Sequence, residues 1–185
     1  MLEEIGQTAN VSQANMPAPA DATTSETEKA ALWYASLGLK VFPCKADKSP
    51  FVRWKDEMSS EAGQIKLWWQ THPSAMIGLP CGSANGIVVL DIDVKGAVNG
   101  FESLNTKGFE IPRDTFSVTT PTGGMHYYFK LRNGEIIRNS VGKIGQGVDV
   151  RGEGGYVIAP PSVNAVGAYA LSEASNWDQF KELVQ

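Results

Sequence analysis

Cysteine is scarce in this sequence. Cys44 and Cys81 are the only two in 185 residues, and neither has a second Cys or a His nearby at zinc-finger spacing. A disulfide framework and a structural zinc site both drop out as organising devices, so no zinc is expected. Long hydrophobic runs are missing too. The longest, such as Ile87 to Leu90 and Tyr156 to Pro161, fall far short of the roughly 20 residues that a membrane-spanning helix needs. The opening Met-Leu-Glu-Glu builds no basic flank followed by an apolar run, so no secretory signal is read and a cytoplasmic location without membrane contact follows by default. Nor is there an excess of positive charge: 16 Lys and Arg stand against 20 Asp and Glu, for a formal net charge of −4. That balance argues against a protein whose main task is to coat nucleic acid, because phosphate neutralisation needs clustered cations.

What is present is unevenly distributed. Residues 1–25 have no aromatic side chain and no apolar period, and are rich in Ala, Thr, Ser, Gln, Asn and Pro. This is the composition of a disordered tail that cannot offset its ordering entropy, which leaves residues 26–185 as one catalytic-sized domain. Thr24-Ser25-Glu26 reads as a helix start, with Ala31, Leu32, Tyr34, Ala35 and Leu37 as its apolar stripe and Gly38 as its end. Leu39 to Pro43 suits a short strand and Lys45 to Lys55 a loop. A second helix from about Ser59 carries Ile65, Trp68 and Trp69 inward and stops before Pro73. Beyond that, short β-type runs are separated by Gly and Pro: 86–94, 115–120, 125–131, 148–150, 156–159 and 168–171. Residues 172–183 close the chain as a helix. The pattern predicts an α+β (mixed α/β) domain with a mainly antiparallel sheet. Lys130, Arg132, Arg138, Lys143 and Arg151 follow one another with few acids between, giving a locally basic face.

Three stretches carry chemistry. Asp91-Ile92-Asp93 ends the run Ile87-Val88-Val89-Leu90, and strand alternation sends both carboxylates to one face while Ile92 turns into the core. Taken alone, the pair is equally a strand ending in a solvated turn. Gly147-Val148-Asp149-Val150-Arg151-Gly152 alternates again and presents Asp149 and Arg151 together, although a surface ion pair would look the same. Three carboxylates at about 4 Å would repel by roughly 4 kcal/mol per pair at an effective dielectric near 20, so such a cluster calls for a cation or a proton. Hard divalent ions such as Mg²⁺ take oxygen ligands of this kind. Between the acidic strands, Thr120-Pro121-Thr122-Gly123-Gly124-Met125-His126 is a glycine turn leading to an imidazole, a combination suited to phosphate oxygens.

With these motifs in view, the chain resembles the bifunctional primase-polymerase domain of the archaeo-eukaryotic primase superfamily. The likeness runs from about Ala30 to Tyr169. It is carried by Gly38-Leu39-Lys40-Val41-Phe42-Pro43, Lys48-Ser49-Pro50, Trp54, Trp68-Trp69, the three chemical stretches, and Gly154-Gly155-Tyr156-Val157-Ile158-Ala159-Pro160-Pro161-Ser162. The resemblance implies an RNA-recognition-motif-like catalytic half packed against an amino-terminal α/β module. It also implies a template-directed nucleotidyl transferase, a DNA primase or polymerase, serving replication of a mobile element, plasmid or phage. Asp91, Asp93 and Asp149 would hold two Mg²⁺ or Mn²⁺ ions. His126 would meet the phosphates of the incoming NTP or dNTP, with Lys48, Thr122, Gly123, Gly124 and Arg151 as further nucleotide-binding positions. Single-stranded template and primer are the implied partners, with a helicase or helical priming domain in many relatives. Two other readings stay open at this point: a non-catalytic single-strand or replication-origin binding module, and a paired-carboxylate hydrolase.

Overall fold

The computed structural model describes residues 24–111 and 114–185. The expected tail, residues 1–25, lies outside them up to residue 23. Helix α1 (Glu26–Ser36) begins where the Ser25 hydroxyl accepts the Glu28 amide at 3.1 Å, which satisfies one of the free donors of its first turn. After the short strand β1 (Phe42–Cys44) and the single-turn α2 (Trp54–Glu57), helix α3 (Ala62–Thr71) buries Ile65, Trp68 and Trp69. Their spacing puts all three on one stripe. The Trp69 indole donates to the Thr27 hydroxyl at 2.9 Å and ties α3 to α1.

Strand β2 (Met76–Pro80) follows, then β3 (Ile87–Ile92), the two-residue strands β4 (Val94–Lys95) and β5 (Val98–Asn99), and α4 (Gly100–Thr106). The second half contributes β6 (Ser117–Thr119), β7 (Met125–Lys130), β8 (Ser140–Gly145), β9 (Val148–Arg151), β10 (Tyr156–Ala159), β11 (Ala170–Leu171) and α5 (Trp177–Val184). The result is the expected α+β class, with every pairing of named strands antiparallel among the described residues. The six-stranded sheet runs β11-β6-β7-β3-β9-β8, and a three-stranded sheet runs β1-β2-β10. Strand β10 comes from the second half yet pairs with β2 from the first, Tyr156 opposite Pro80 and Ala159 opposite Ile77. The two halves therefore share hydrogen bonds as well as side-chain contacts.

Several elements differ from the sequence expectation. The first strand is shifted from 39–43 to Phe42–Cys44, and α2 begins at Trp54, within the expected 45–55 loop. β2, β8 and α4 were not expected. β2 reads Met-Ile-Gly-Leu-Pro and is buried throughout, so it has no alternation to reveal it.

The large sheet has a core on each face. Paired residues across antiparallel strands share a face, so Ile87, Val89, Asp91, His126, Tyr128, Asp149 and Arg151 lie together on one side. On that side Ile87, Val89 and Tyr128 join the main core with Tyr34, Phe42, Trp69, Trp177 and Phe180. Trp33 and Trp177 meet edge to face there at 4.8 Å between centroids. On the other side Ile92, Val148 and Leu104 form a smaller core under α4. Ile92 does turn into a core, as alternation requires, but the acidic residues share their own face with the larger one. No described helix is long and apolar enough to cross a membrane.

Candidate active site

Asp91 is the last but one residue of β3, the strand between β7 and β9 in the large sheet. Its register partners are His126 on β7 and Asp149 on β9. Three polar side chains thus stand side by side across three strands, at 7 %, 5 % and 7 % exposure for Asp91, His126 and Asp149. Asp93 follows just beyond the strand end and is half-buried. One carboxylate oxygen from each of Asp91, Asp93 and Asp149 lies within 4.8 Å of the other two. The alternation read from Asp91-Ile92-Asp93 and from Val148-Asp149-Val150-Arg151 therefore does bring these residues together.

Arg151 neutralises part of this charge. Its Nε and Nη2 donate to Asp91 Oδ2 at 3.1 and 3.0 Å, and Nη2 also donates to Asp149 Oδ2 at 2.7 Å. Asp149 Oδ1 accepts the Gly142 amide at 2.9 Å, reached because β8 bulges between Ser140 and Gly145. Burial pushes the Asp91 carboxyl up, but His126 and Arg151 outweigh it and hold the group below its ordinary value. Asp93 goes the other way. Burial, then Asp91 and Asp149, raise its carboxyl above the usual range, and Lys48 and Arg151 offset this only in part. One carboxylate in the cluster is satisfied and another lacks a countercharge.

His126 Nε2 sits 3.4 Å from Asp91 Oδ1, and its Nδ1 is buried without a hydrogen-bond partner among the described residues. Beyond the acidic row opens a cavity of about 260 Å³, lined by Lys48, Asp91, His126, Arg151, Tyr156 and Tyr169 among others. Lys48 arrives from the first half of the chain, in the left-handed region at φ 74, with its carbonyl held by the Tyr156 hydroxyl at 2.9 Å. Tyr169, 2 % exposed, faces His126 with 5.8 Å between ring centroids. Burial raises its hydroxyl while Lys48 beside it lowers it in part. The walls bring two cations, an imidazole and two phenols around a space that the Asp91 carboxylate borders, a setting suited to a polyanion that also binds a metal.

Thr122, Gly123 and Gly124 do not line this cavity. They form the β6–β7 hairpin, closed by Gly123 N to Thr120 O at 3.0 Å and Thr120 N to Gly124 O at 2.9 Å. Gly124 packs so closely on the main chain of Ile92 and Asp93 that a Cβ there would collide with the Ile92 carbonyl. Two further contacts clamp Asp93: its amide donates to Gly147 O at 2.8 Å and its carbonyl accepts from Gly100 N at 2.9 Å. Gly147, at φ 73, takes a backbone form open to glycine, and an added Cβ would press on Val98 and the Asp93 carbonyl. Sequence reading singled out neither Gly100 nor the role of Gly147, and it passed over Tyr156, Tyr169, Asn139 and the Gly142 amide. None of these sits in a pattern of its own; they meet the site through register, a bulge and chain crossing.

Residues 31–183 match the model of a family described as bifunctional DNA primase/polymerase, N-terminal. Among curated proteins, none matches the chain.

Proposed function

Since the chain belongs to the bifunctional DNA primase/polymerase family, we propose that the cavity is a nucleotidyl-transfer site which binds an incoming nucleoside triphosphate against a pair of divalent ions. The observation that carries this reading is the convergence of three carboxylates, each with an oxygen within 4.8 Å of the others, one of which, Asp91, lines a cavity walled also by Lys48, Arg151 and His126. Family membership alone would not require this chain to keep the chemical groups.

The residues fit a metal. All three donors are hard oxygens, the type that Mg²⁺ and Mn²⁺ take, and Asp93 is raised by burial and then by Asp91 and Asp149, a repulsion that such an ion relieves. Asp91, Asp93 and Asp149 would hold the ions. When bound, two metals lower the barrier to in-line displacement by activating the primer 3′-hydroxyl and neutralising the leaving pyrophosphate. The protein's own groups do the rest. Arg151, now shared between Asp91 and Asp149, is freed to pair with a phosphate once those carboxylates have another cation. Lys48 lines the same cavity and would reach the same phosphates, and His126 steadies Asp91 while presenting its ring to the cavity. Gly124 acts through the main chain of Asp93, and the Thr122-Gly123 turn borders that end of the site.

The strand order supports an RNA-recognition-motif-like half. In chain order β3, α4, β6, β7 and β9 give strand, helix, two strands and a final strand, and in space they lie β6-β7-β3-β9. This is the split βαβ arrangement, with strand β8 where the second helix would be.

The test is incubation of the protein with primed and unprimed single-stranded DNA, labelled nucleotides and either Mg²⁺ or Mn²⁺. Metal-dependent extension that disappears in Asp91→Asn supports the reading. DNA binding without incorporation under any metal would make the protein a binding module instead.

A further inference from the structure

The segment that delivers Lys48 to the cavity is cationic in an otherwise acidic chain. Residues 45–55 carry four cations (Lys45, Lys48, Arg53 and Lys55) against one acid, Asp47, while the whole protein has net charge −4. Asp47 is engaged locally, accepting from the Ser49 hydroxyl at 2.5 Å and the Ser49 amide at 2.9 Å.

Aromatic rings interleave with these cations. Phe51 is 36 % exposed and stacks on His72 with 3.8 Å between centroids and 9° between planes. Lys45 Nζ lies 5.6 Å from the Phe51 ring centre. Trp54 carries Lys55 Nζ at 5.7 Å and meets Tyr156 edge-on at 5.3 Å. Tyr156 lines the cavity and holds the Lys48 carbonyl, so the segment that bears Phe51 is joined to the site through Lys48 and through Trp54. Trp54 is accounted for by the fold, because it stacks on buried Phe42 and packs on the main core. Phe51 and His72 belong to neither hydrophobic core.

We propose that the Phe51–His72 stack, with Lys45 beside it, is where single-stranded template DNA docks on its way to the nucleotide cavity; the inference rests on the nucleotidyl-transfer reading above. An unpaired base has two free π-faces and stacks on an aromatic platform whatever its identity. A double helix hides those faces, so the surface selects single strands. Lys45 gives up its contact with the ring for an ion pair with the adjacent phosphate, a pairing that releases a condensed counterion.

The test uses the full chain and a fluorescein-labelled oligothymidylate, read by anisotropy across a salt series and by primer extension with template as the varied substrate. Phe51→Ala is expected to weaken DNA binding about tenfold and to raise the template requirement for extension equally, with nucleotide KM unchanged; Phe51→Trp restores both. Lys45→Gln, an exposed change that does not threaten folding, lowers the slope of log K against log salt by about 0.7. Leu67→Ala, on the exposed side of α3, serves as a control and leaves binding unaltered. If the parent extends primers and Phe51→Ala binds DNA like the parent, the docking surface is wrong and the transferase reading stands. If the parent extends nothing but Phe51→Ala still loses DNA binding, the surface stands and the transferase reading falls. A parent that neither binds nor extends overturns both.

Discussion

Arg151 shows how the cluster is tolerated without metal: one guanidinium answers Asp91 and Asp149 but leaves Asp93 unpaired. Removing charge at the two ends of the Asp-x-Asp motif should then have opposite effects on stability. Asp91→Asn strips a buried partner from Arg151 and His126 and is expected to destabilise the metal-free protein by about 1 to 3 kcal/mol. Asp93→Asn removes repulsion at a more open position and should stabilise it slightly, by under about 1 kcal/mol after solvent screening. Thermal melting in a chelator across pH checks both. The Asp93 carboxyl is raised, so it opposes folding only while ionised, and the gain from Asp93→Asn fades as pH falls through that raised value. Asp91 is held low, so its stabilisation is present above the ordinary carboxylate range and is lost only further into acid. The gain must therefore disappear at higher pH than the deficit. Both variants should lose Mn²⁺ binding by calorimetry. His126→Ala is different: its ring supports Asp91 without being one of the oxygen donors. It should keep measurable Mn²⁺ binding and lose about tenfold in affinity for a non-hydrolysable nucleotide, the scale of one charge-assisted hydrogen bond.

Among the elements, the β6–β7 hairpin and the turn before β9 are what place Asp93, because that residue lies past the end of its strand and has no ladder partner of its own. Gly124→Ala drives a methyl into the Ile92 carbonyl and should shift the Asp93 main chain. Expected is loss of metal affinity by about tenfold or more, with far-UV circular dichroism close to the parent's and a melting temperature lowered by an overpacking cost of about 1 to 3 kcal/mol. Equal metal affinity in Gly124→Ala would show that the hairpin does not position the ligand. The patterned elements were legible in the sequence: the α1 cap at Ser25, the Ile65, Trp68, Trp69 stripe of α3, and the alternation at the end of β3 and along β9. β2 and β8 were not. β2 is apolar on both faces and carries Gly78 and Pro80, so neither period nor propensity marks it. β8 holds Ser140, Gly142, Lys143 and Gly145 and becomes a strand only because β9 offers it a partner across a bulge. α4 is seven residues long, too short for its period to stand out.

For the whole molecule, β10 pairs with β2, and α1, α3 and α5 pack in one main core, so we expect residues 26–185 to fold as a unit. Tyr34 makes the same connection, its hydroxyl donating to Pro160 O at 2.9 Å. Unfolding by urea should then give a single transition, with far-UV circular dichroism and tryptophan fluorescence coincident. Separate midpoints would mean that the two sheets melt independently. The shared strand also bears on the site, since β10 and its turn supply Tyr156, Val157 and Ile158 to the cavity wall while the first half supplies Lys48.

The sequence by itself determined the chemical groups and their local facing. A strand sends alternate residues to one side, so Asp91 with Asp93, and Asp149 with Arg151, had to be co-presented wherever their strands lay. It also determined the fold class, through the change from helical period to short alternating runs. Only the tertiary structure decided that β3 lies between β7 and β9 with Asp91 opposite both His126 and Asp149. Only it decided that Arg151 bridges two carboxylates, and that Lys48 and Tyr169 reach the cavity from distant parts of the chain. Facing follows from the covalent geometry of a single strand, whereas register and strand order are chosen by the burial of both faces of the sheet at once. That choice depends on α4, α5 and the small sheet, which no local window of the sequence contains.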